Sequence, residues 1–62
     1  MIVQVIASTD KKYIGLIADT DQPLVAPDGI KFNPTKIQYL GNDIYRYSNS
    51  NYVIEVRDIT NG

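Results

Sequence analysis

The side chains best placed to do chemistry are tyrosines and basic residues in the second half of the chain. The candidate binding face consists of Tyr39, Tyr45, Tyr47, Tyr52, Lys36, Arg46 and Arg57. Aromatic rings stack on unpaired bases and basic side chains bind phosphates, so this set predicts a surface for single-stranded nucleic acid. The alternative is a tyrosine-lined core whose hydroxyls reach the rim. We favour the core, because Ile37 and Ile54 share this face and the net charge is −1.

Three carboxylates lie between residues 19 and 29, where the chain has no basic residue. Asp19, Asp21 and Asp28 could supply oxygen ligands to a hard cation such as Ca²⁺. Their spacing lacks the glycine and the final glutamate of a calcium-binding loop. We therefore interpret the segment as a solvated polar turn and predict neither a metal nor a cofactor.

Catalytic residue types are scarce. The chain has no Cys and no His, which excludes a thiol nucleophile, an imidazole base and the commonest zinc ligands. Glu55 could act as a general base, but its simpler role is that of a cross-strand partner for Lys or Arg. Neither a phosphate-binding glycine loop nor a nucleophile elbow is present. We predict that the protein is not an enzyme.

The elements that must position these side chains are short strands. A chain of 62 residues forms one small domain of marginal stability, here residues 1–62 with a frayed tail at 60–62. Ile, Val and Tyr are abundant, and no window keeps a helical apolar period without a Pro, a Gly or an Asn-Asp break. We expect an all-β fold of five to six short antiparallel strands in meander order. It would form either an SH3-like small barrel or a half-open twisted sheet.

The first hairpin is predicted from residues 2–9 and 12–19, with its turn at Asp10-Lys11. This register keeps apolar residues on one face. It pairs Val3 with Ala18, Val5 with Leu16, and Ala7 with Ile14. Gly15 within the second strand predicts a bend or a bulge.

Four further strands are predicted at 30–32, 36–40, 44–48 and 52–58. Pro34 separates the first two, because it cannot donate a hydrogen bond to a ladder. A loop at 41–43 places Leu40 opposite Ile44, Tyr39 opposite Tyr45 and Ile37 opposite Tyr47. A two-residue loop at Asn49-Ser50 places Ser48 opposite Asn51, Tyr47 opposite Tyr52 and Tyr45 opposite Ile54.

By elimination, the sequence predicts a non-catalytic protein-binding or adaptor module, with single-stranded nucleic acid as the alternative ligand. No stretch is long and apolar enough to span a membrane and no leader is visible, so we expect no membrane partner and a cytoplasmic location. The abundance of Ile, Asn, Asp and Tyr is typical of an AT-rich genome, such as that of a phage, in which case the location is the host cytoplasm.

Self-association is the last expectation. Residues 2–7 contain no Pro and no charge, the features that normally protect an edge strand. Left at an edge, this strand would pair with a second copy of the chain and form a homodimer. If strand 52–58 closes against it instead, a monomer results. The short chain favours the dimer slightly.

Overall fold

The computed structural model of the chain describes residues 1–29 and 31–60 and shows an all-β protein. Its elements are β1 (Ile2–Ser8), a 3-10 helix (Lys11–Tyr13), β2 (Ile17–Asp19), β3 (Leu24–Val25), β4 (Lys31–Phe32), β5 (Lys36–Gly41), β6 (Ile44–Ser48) and β7 (Val53–Asp58). Ile30, predicted to begin a strand, lies outside the described residues, as do positions 61–62 of the predicted tail.

Five of the strands form one antiparallel sheet in the order β2-β1-β7-β6-β5, and β3 pairs with β4 in a separate two-stranded sheet. Strands β5, β6 and β7 follow one another as a meander, as predicted. The rest departs from meander order, because β1 lies between β2 and β7. Among the described residues the sheet does not close, since β2 and β5 remain its two edges. This agrees with the half-open alternative, and the SH3-like barrel is not confirmed.

The hydrophobic core lies on one face of the large sheet, which we call the inner face. Its buried side chains come from the two central strands, the 3-10 helix and the β3–β4 ribbon. They are Val3, Val5, Tyr13, Ala26, Phe32, Ile54 and Val56. Central strands supply the deepest positions because they have neighbours on both sides.

The first hairpin follows the predicted register only in part. Val3 is opposite Ala18, and the Val5 amide donates to the Leu16 carbonyl at 2.9 Å. The predicted pairing of Ala7 with Ile14 is wrong, because β1 has a register shift between Val5 and Ala7 that turns Ala7 to the other face. Gly15 lies in a bend with φ of +89°, a conformation that favours glycine.

The predicted two-residue turn at Asp10-Lys11 is replaced by a 3-10 helix. Asp10 caps it, since its side chain accepts a hydrogen bond from the Lys12 amide at 3.1 Å. The helix carries Tyr13 inward, away from the strand in which the pattern had placed it. The cap at Asp10 therefore stabilises a helical turn where the apolar pattern had predicted the start of a strand.

The loop at 41–43 is close to its prediction. Tyr39 lies opposite Tyr45 and Ile37 opposite Tyr47, and a bulge follows, so that Gly41 rather than Leu40 is opposite Ile44. The turn residues Asn42 and Asp43 both have positive φ, as a type I′ hairpin requires.

The register predicted through Asn49-Ser50 is wrong by two residues. Ser48 is opposite Val53, Tyr47 is opposite Ile54 and Tyr45 is opposite Val56. The Asn49 side chain closes a longer turn by accepting from the amides of Asn51 and Tyr52, both at 2.8 Å. A shift of two residues keeps each side chain on its predicted face, so the two face assignments survive.

Candidate functional site: a cleft on the inner face

The tyrosines of β5 and β6 lie on the inner face. Tyr45 and Tyr47 are partly buried and pack against the core. Tyr39, on the edge strand, is 60% exposed and its ring centroid is 4.9 Å from that of Tyr45. Burial raises the pKa of the Tyr47 hydroxyl, and the neighbouring Tyr45 raises it further. These three rings continue the core toward the edge of the sheet.

The basic residues of the candidate face lie on the opposite, outer face. Arg46 alternates with Tyr45 and Tyr47 along β6, and its guanidinium donates from Nε at 3.3 Å and from Nη2 at 3.1 Å to Glu55 Oε2. This bears out the simple role predicted for Glu55. Lys36 and Arg57 are exposed on the same outer face. The structure therefore separates the tyrosines from the cations that a shared nucleic-acid site would need.

Tyr52 belongs to an aromatic cluster that the sequence pattern does not predict. Its ring centroid lies 5.8 Å from that of Tyr13 and 6.5 Å from that of Phe32, and the Tyr13 and Phe32 centroids are 5.9 Å apart. The cluster joins the 3-10 helix, β4 and the β6–β7 turn. The signal for it was the capping aspartate three residues before Tyr13, which predicts a helical turn.

One lysine covers this cluster. Lys12 Nζ lies 5.4 Å from the Tyr13 ring centroid and 5.9 Å from that of Tyr52, within the range of cation–π attraction. It also donates to Asp28 Oδ2 at 2.9 Å and lies 3.6 Å from Asp10 Oδ2. The hydrogen bond to Asp28 raises the pKa of Lys12. These contacts give Lys12 a structural role.

A cleft of about 430 Å³ opens on the inner face between the sheet and the segment that carries β3 and β4. Each strand of the large sheet contributes one residue to its floor. These five floor residues are Ala18, Val3, Val56, Tyr47 and Ile37. Pro23, Leu24, Phe32 and Pro34 line the remaining apolar wall. The cleft is thus an open extension of the core that runs across the strands, and its lining is mostly apolar.

The polar residues of the cleft include two carboxylates. Asp19 and Asp21 line it beside Thr20 and Gln22, and Asp19 Oδ1 accepts from the Asp21 amide at 3.0 Å. Asp19 Oδ1 is also 3.9 Å from the N-terminal ammonium. Within residues 1–29 and 31–60, no three metal-ligating side chains are close enough to hold a metal ion. The rim therefore presents negative charge and hydrogen-bonding groups next to the apolar floor.

Comparison with known proteins adds no relative. No protein-family model matches the chain, no curated protein is similar to it, and no solved structure matches its fold. Within the described residues, none of the helices has the length and apolar character needed to cross a membrane.

Proposed function

We propose that the protein is a non-catalytic protein-binding module, and that the inner-face cleft receives an extended, mainly apolar segment of another protein. The observation that carries this proposal is the cleft floor, to which every strand of the large sheet contributes one residue. Binding sites are typically concave and apolar with a few polar groups at defined places, and this cleft has that composition.

The physical basis is burial of apolar surface that the domain cannot cover by itself. Ile37 on the cleft floor is 58% exposed, and removal of apolar surface from water contributes about 25 cal/mol per Å². A partner side chain placed between Ile37 and Leu24 would extend the core. The carboxylates of Asp19 and Asp21 at the rim favour a neutral or basic partner segment.

Single-stranded nucleic acid is the weaker candidate. The cleft rim is acidic, so it repels phosphates, and Arg46 and Arg57 lie on the other face of the sheet. Tyr52, one of the four rings of the proposed stacking surface, packs in the aromatic cluster. A protein ligand accounts for both the apolar floor and the charge of the rim.

A peptide selection with a matched pair of variants tests the proposal. A library of random peptides displayed on phage is selected on the wild-type protein, and the enriched peptides are synthesised and titrated. Ile37→Asp places a carboxylate on the cleft floor, whereas Ile17→Asp places one at a 63% exposed isoleucine on the outer face. We expect Ile37→Asp to weaken binding at least about tenfold, which corresponds to about 1.4 kcal/mol, and Ile17→Asp to leave it unchanged.

Nuclear magnetic resonance spectra of both variants check that the fold is retained. Equal loss of binding in the two variants would contradict the proposal, as would a selection that enriches no peptide. An oligonucleotide that binds wild-type protein, with an affinity that falls steeply with salt, would favour the nucleic-acid alternative.

A further inference from the structure

Strand β5 is an open edge of the large sheet. Only β6 pairs with it among the described residues, and all of its residues from Lys36 to Leu40 are exposed. Alternate backbone N–H and C=O groups of such a strand point away from the sheet without a ladder partner. The outer side of β5 can therefore accept another strand.

The other edge strand, β2, is less suited to pairing. It has three residues, against six in β5, so it offers fewer ladder positions. The chain that follows it turns back, because the Thr20 amide donates to the Met1 carbonyl at 2.9 Å. Strand β1 is enclosed between β2 and β7, so of the two alternatives that the sequence left open, closure by strand 52–58 is the one observed. The edge best suited to pairing is therefore β5, and not β1 as the sequence analysis considered.

The usual protections of an edge strand are absent from the centre of β5 and present only at its two ends. Strand β5 contains no proline. Its single charged residue, Lys36, is at the first position, and its bulge is near the other end, at Leu40. Exposed apolar side chains at Ile37 and Tyr39 lie on its inner side. An apolar edge whose central residues are regular and uncharged is suited to the addition of another strand.

The sequence of β5 is suited to pairing with itself. The stretch up to the bulge, Lys36 to Leu40, has its midpoint at Gln38, so an antiparallel two-fold arrangement places Gln38 opposite Gln38. The same register places Ile37 opposite Tyr39 twice, on one face, and β-branched residues pair favourably with aromatic ones across strands. Its centre carries no charge, and like charges do not meet there.

Charge also favours this arrangement over one with an arbitrary strand. Lys36 of one copy lies opposite Leu40 of the other, so the two lysines are four residues apart along the strand, or about 13 Å. That separation exceeds the screening length of about 8 Å at physiological salt. Each Lys36 is instead at the end of β5 where the other copy carries Asp43, next to the Asn42 turn.

We propose that two copies of the chain pair through β5 and form a homodimer with one continuous sheet, centred on Gln38. The five-stranded sheets then join edge to edge about a two-fold axis. Ile37 belongs both to the cleft floor and to this interface, whereas the test residue Gln38 points to the outer face, on the same side as Arg46, and does not line the cleft.

A charge-swap experiment at Gln38 tests the pairing. Gln38→Glu and Gln38→Lys each place two like charges opposite one another at the centre of the proposed interface. We expect the dimer dissociation constant, measured by sedimentation equilibrium at low salt, to rise about fivefold for either variant alone. An equal mixture of the two should restore dimerisation, because opposite charges then meet as a heterodimer.

Gln4 supplies the matched control. It lies on the outer face of the central strand β1, opposite Arg57, and is not at an edge. Gln4→Glu and Gln4→Lys should leave the dissociation constant unchanged. A wild-type mass of 7.0 kDa at every concentration up to the millimolar range would overturn the proposal. So would a dimer that is insensitive to the charge at position 38, or a wild-type monomer in which β5 pairs only with a selected peptide.

Discussion

Strands β5 and β7 have the same length and share an apolar-polar-apolar pattern at their second to fourth positions, but they have opposite environments. Each has six residues. Ile54 and Val56 on the inner side of β7 are 0% and 1% exposed, whereas Ile37 and Tyr39 on the inner side of β5 are 58% and 60% exposed. Composition and alternation predict a strand in both cases, and they do not distinguish a core strand from an open edge.

The number of neighbouring strands explains why the inner side chains of β7 are buried and those of β5 are exposed. Strand β7 is paired with β1 on one side and β6 on the other, whereas among the residues that the structure describes β5 is paired with β6 alone. The inner side of β7 also belongs to the buried core cluster, together with Tyr13 and Phe32 from outside the large sheet, while Ile37 of β5 borders the open cleft. The buried apolar side chains of the sheet are thus concentrated in the two central strands β1 and β7, and apolar surface is left exposed at the β5 edge.

Truncating one isoleucine in β7 and one in β5 should give the largest difference in the free energy of unfolding. Ile54→Ala removes fully buried methyl groups and leaves a cavity, so it should lower the free energy of unfolding by about 3 kcal/mol. Ile37→Ala should lower it by less than about 1 kcal/mol, since its side chain is mostly in water already. Urea denaturation followed by circular dichroism measures both. Equal losses would show that β5 is as well covered as β7.

A substitution at Gly41, the last residue of β5, tests the backbone conformation at the end of that strand. Gly41 has φ of +88°, with open space around the position of an added Cβ, so Gly41→Ala tests conformation without a clash. The left-handed region costs an L-residue about 1 kcal/mol, and we expect that loss of stability. Gly41→Asn should cost less, because asparagine adopts this region more readily. An asparagine variant no more stable than the alanine variant would show that something other than φ decides the effect.

The ion pair between Arg46 and Glu55 joins β6 to β7, and no salt bridge among the described residues joins β5 to β6. Both side chains are partly exposed, so a double-mutant cycle with Arg46→Ala and Glu55→Ala should give a coupling of about 0.5 kcal/mol. The coupling should decrease in high salt. A coupling that does not respond to salt would indicate packing of the arginine stem instead.

Local patterns predicted more of the C-terminal half of the fold than of the N-terminal half, although the register between β6 and β7 was wrong by two residues. Turn-forming residues flank β6 on both sides, so strand 44–48 and the pairs Tyr39–Tyr45 and Ile37–Tyr47 follow from the sequence. The β1–β7 pairing was only one of two alternatives, because it joins residues far apart in sequence. Strand β4 falls within the strand predicted at 30–32, whereas β3 was not predicted, because its two residues are too few for a period.

Little of the candidate site was predicted from the sequence, since Tyr47 is the one residue of the predicted binding face that lines the cleft. The inner-face position of Tyr45 and Tyr47 survives the two-residue error in register, since side chains alternate with a period of two. The separation of Arg46 from these tyrosines follows from the same alternation. The cleft itself depends on the position of the β3–β4 ribbon over the sheet, which no local pattern specifies.

The smallest expected effect on the free energy of unfolding comes from ionisation of Tyr47, which lies on β6, between β5 and β7. Burial, with Tyr45 beside it, raises the pKa of Tyr47 above the ordinary 10.0 in the folded protein. The unfolded chain therefore loses this proton first as the pH rises past about 10. Between that pH and the folded pKa, the unfolded state binds fewer protons, so the free energy of unfolding falls with pH.

Tyr47→Phe removes this ionisation and keeps the ring. We expect the variant to lose less stability than the wild type between about pH 9 and about pH 11, a range set by the ordinary tyrosine pKa. The raised pKa of Lys12 also lowers stability as the pH rises through it, but that contribution is common to both proteins and cancels in the difference. Urea denaturation at several pH values measures the slopes. Parallel slopes would mean that Tyr47 is as well solvated in the folded protein as in the unfolded chain, and the inner face of β6 would then resemble the open edge at β5 more than the buried centre at β7.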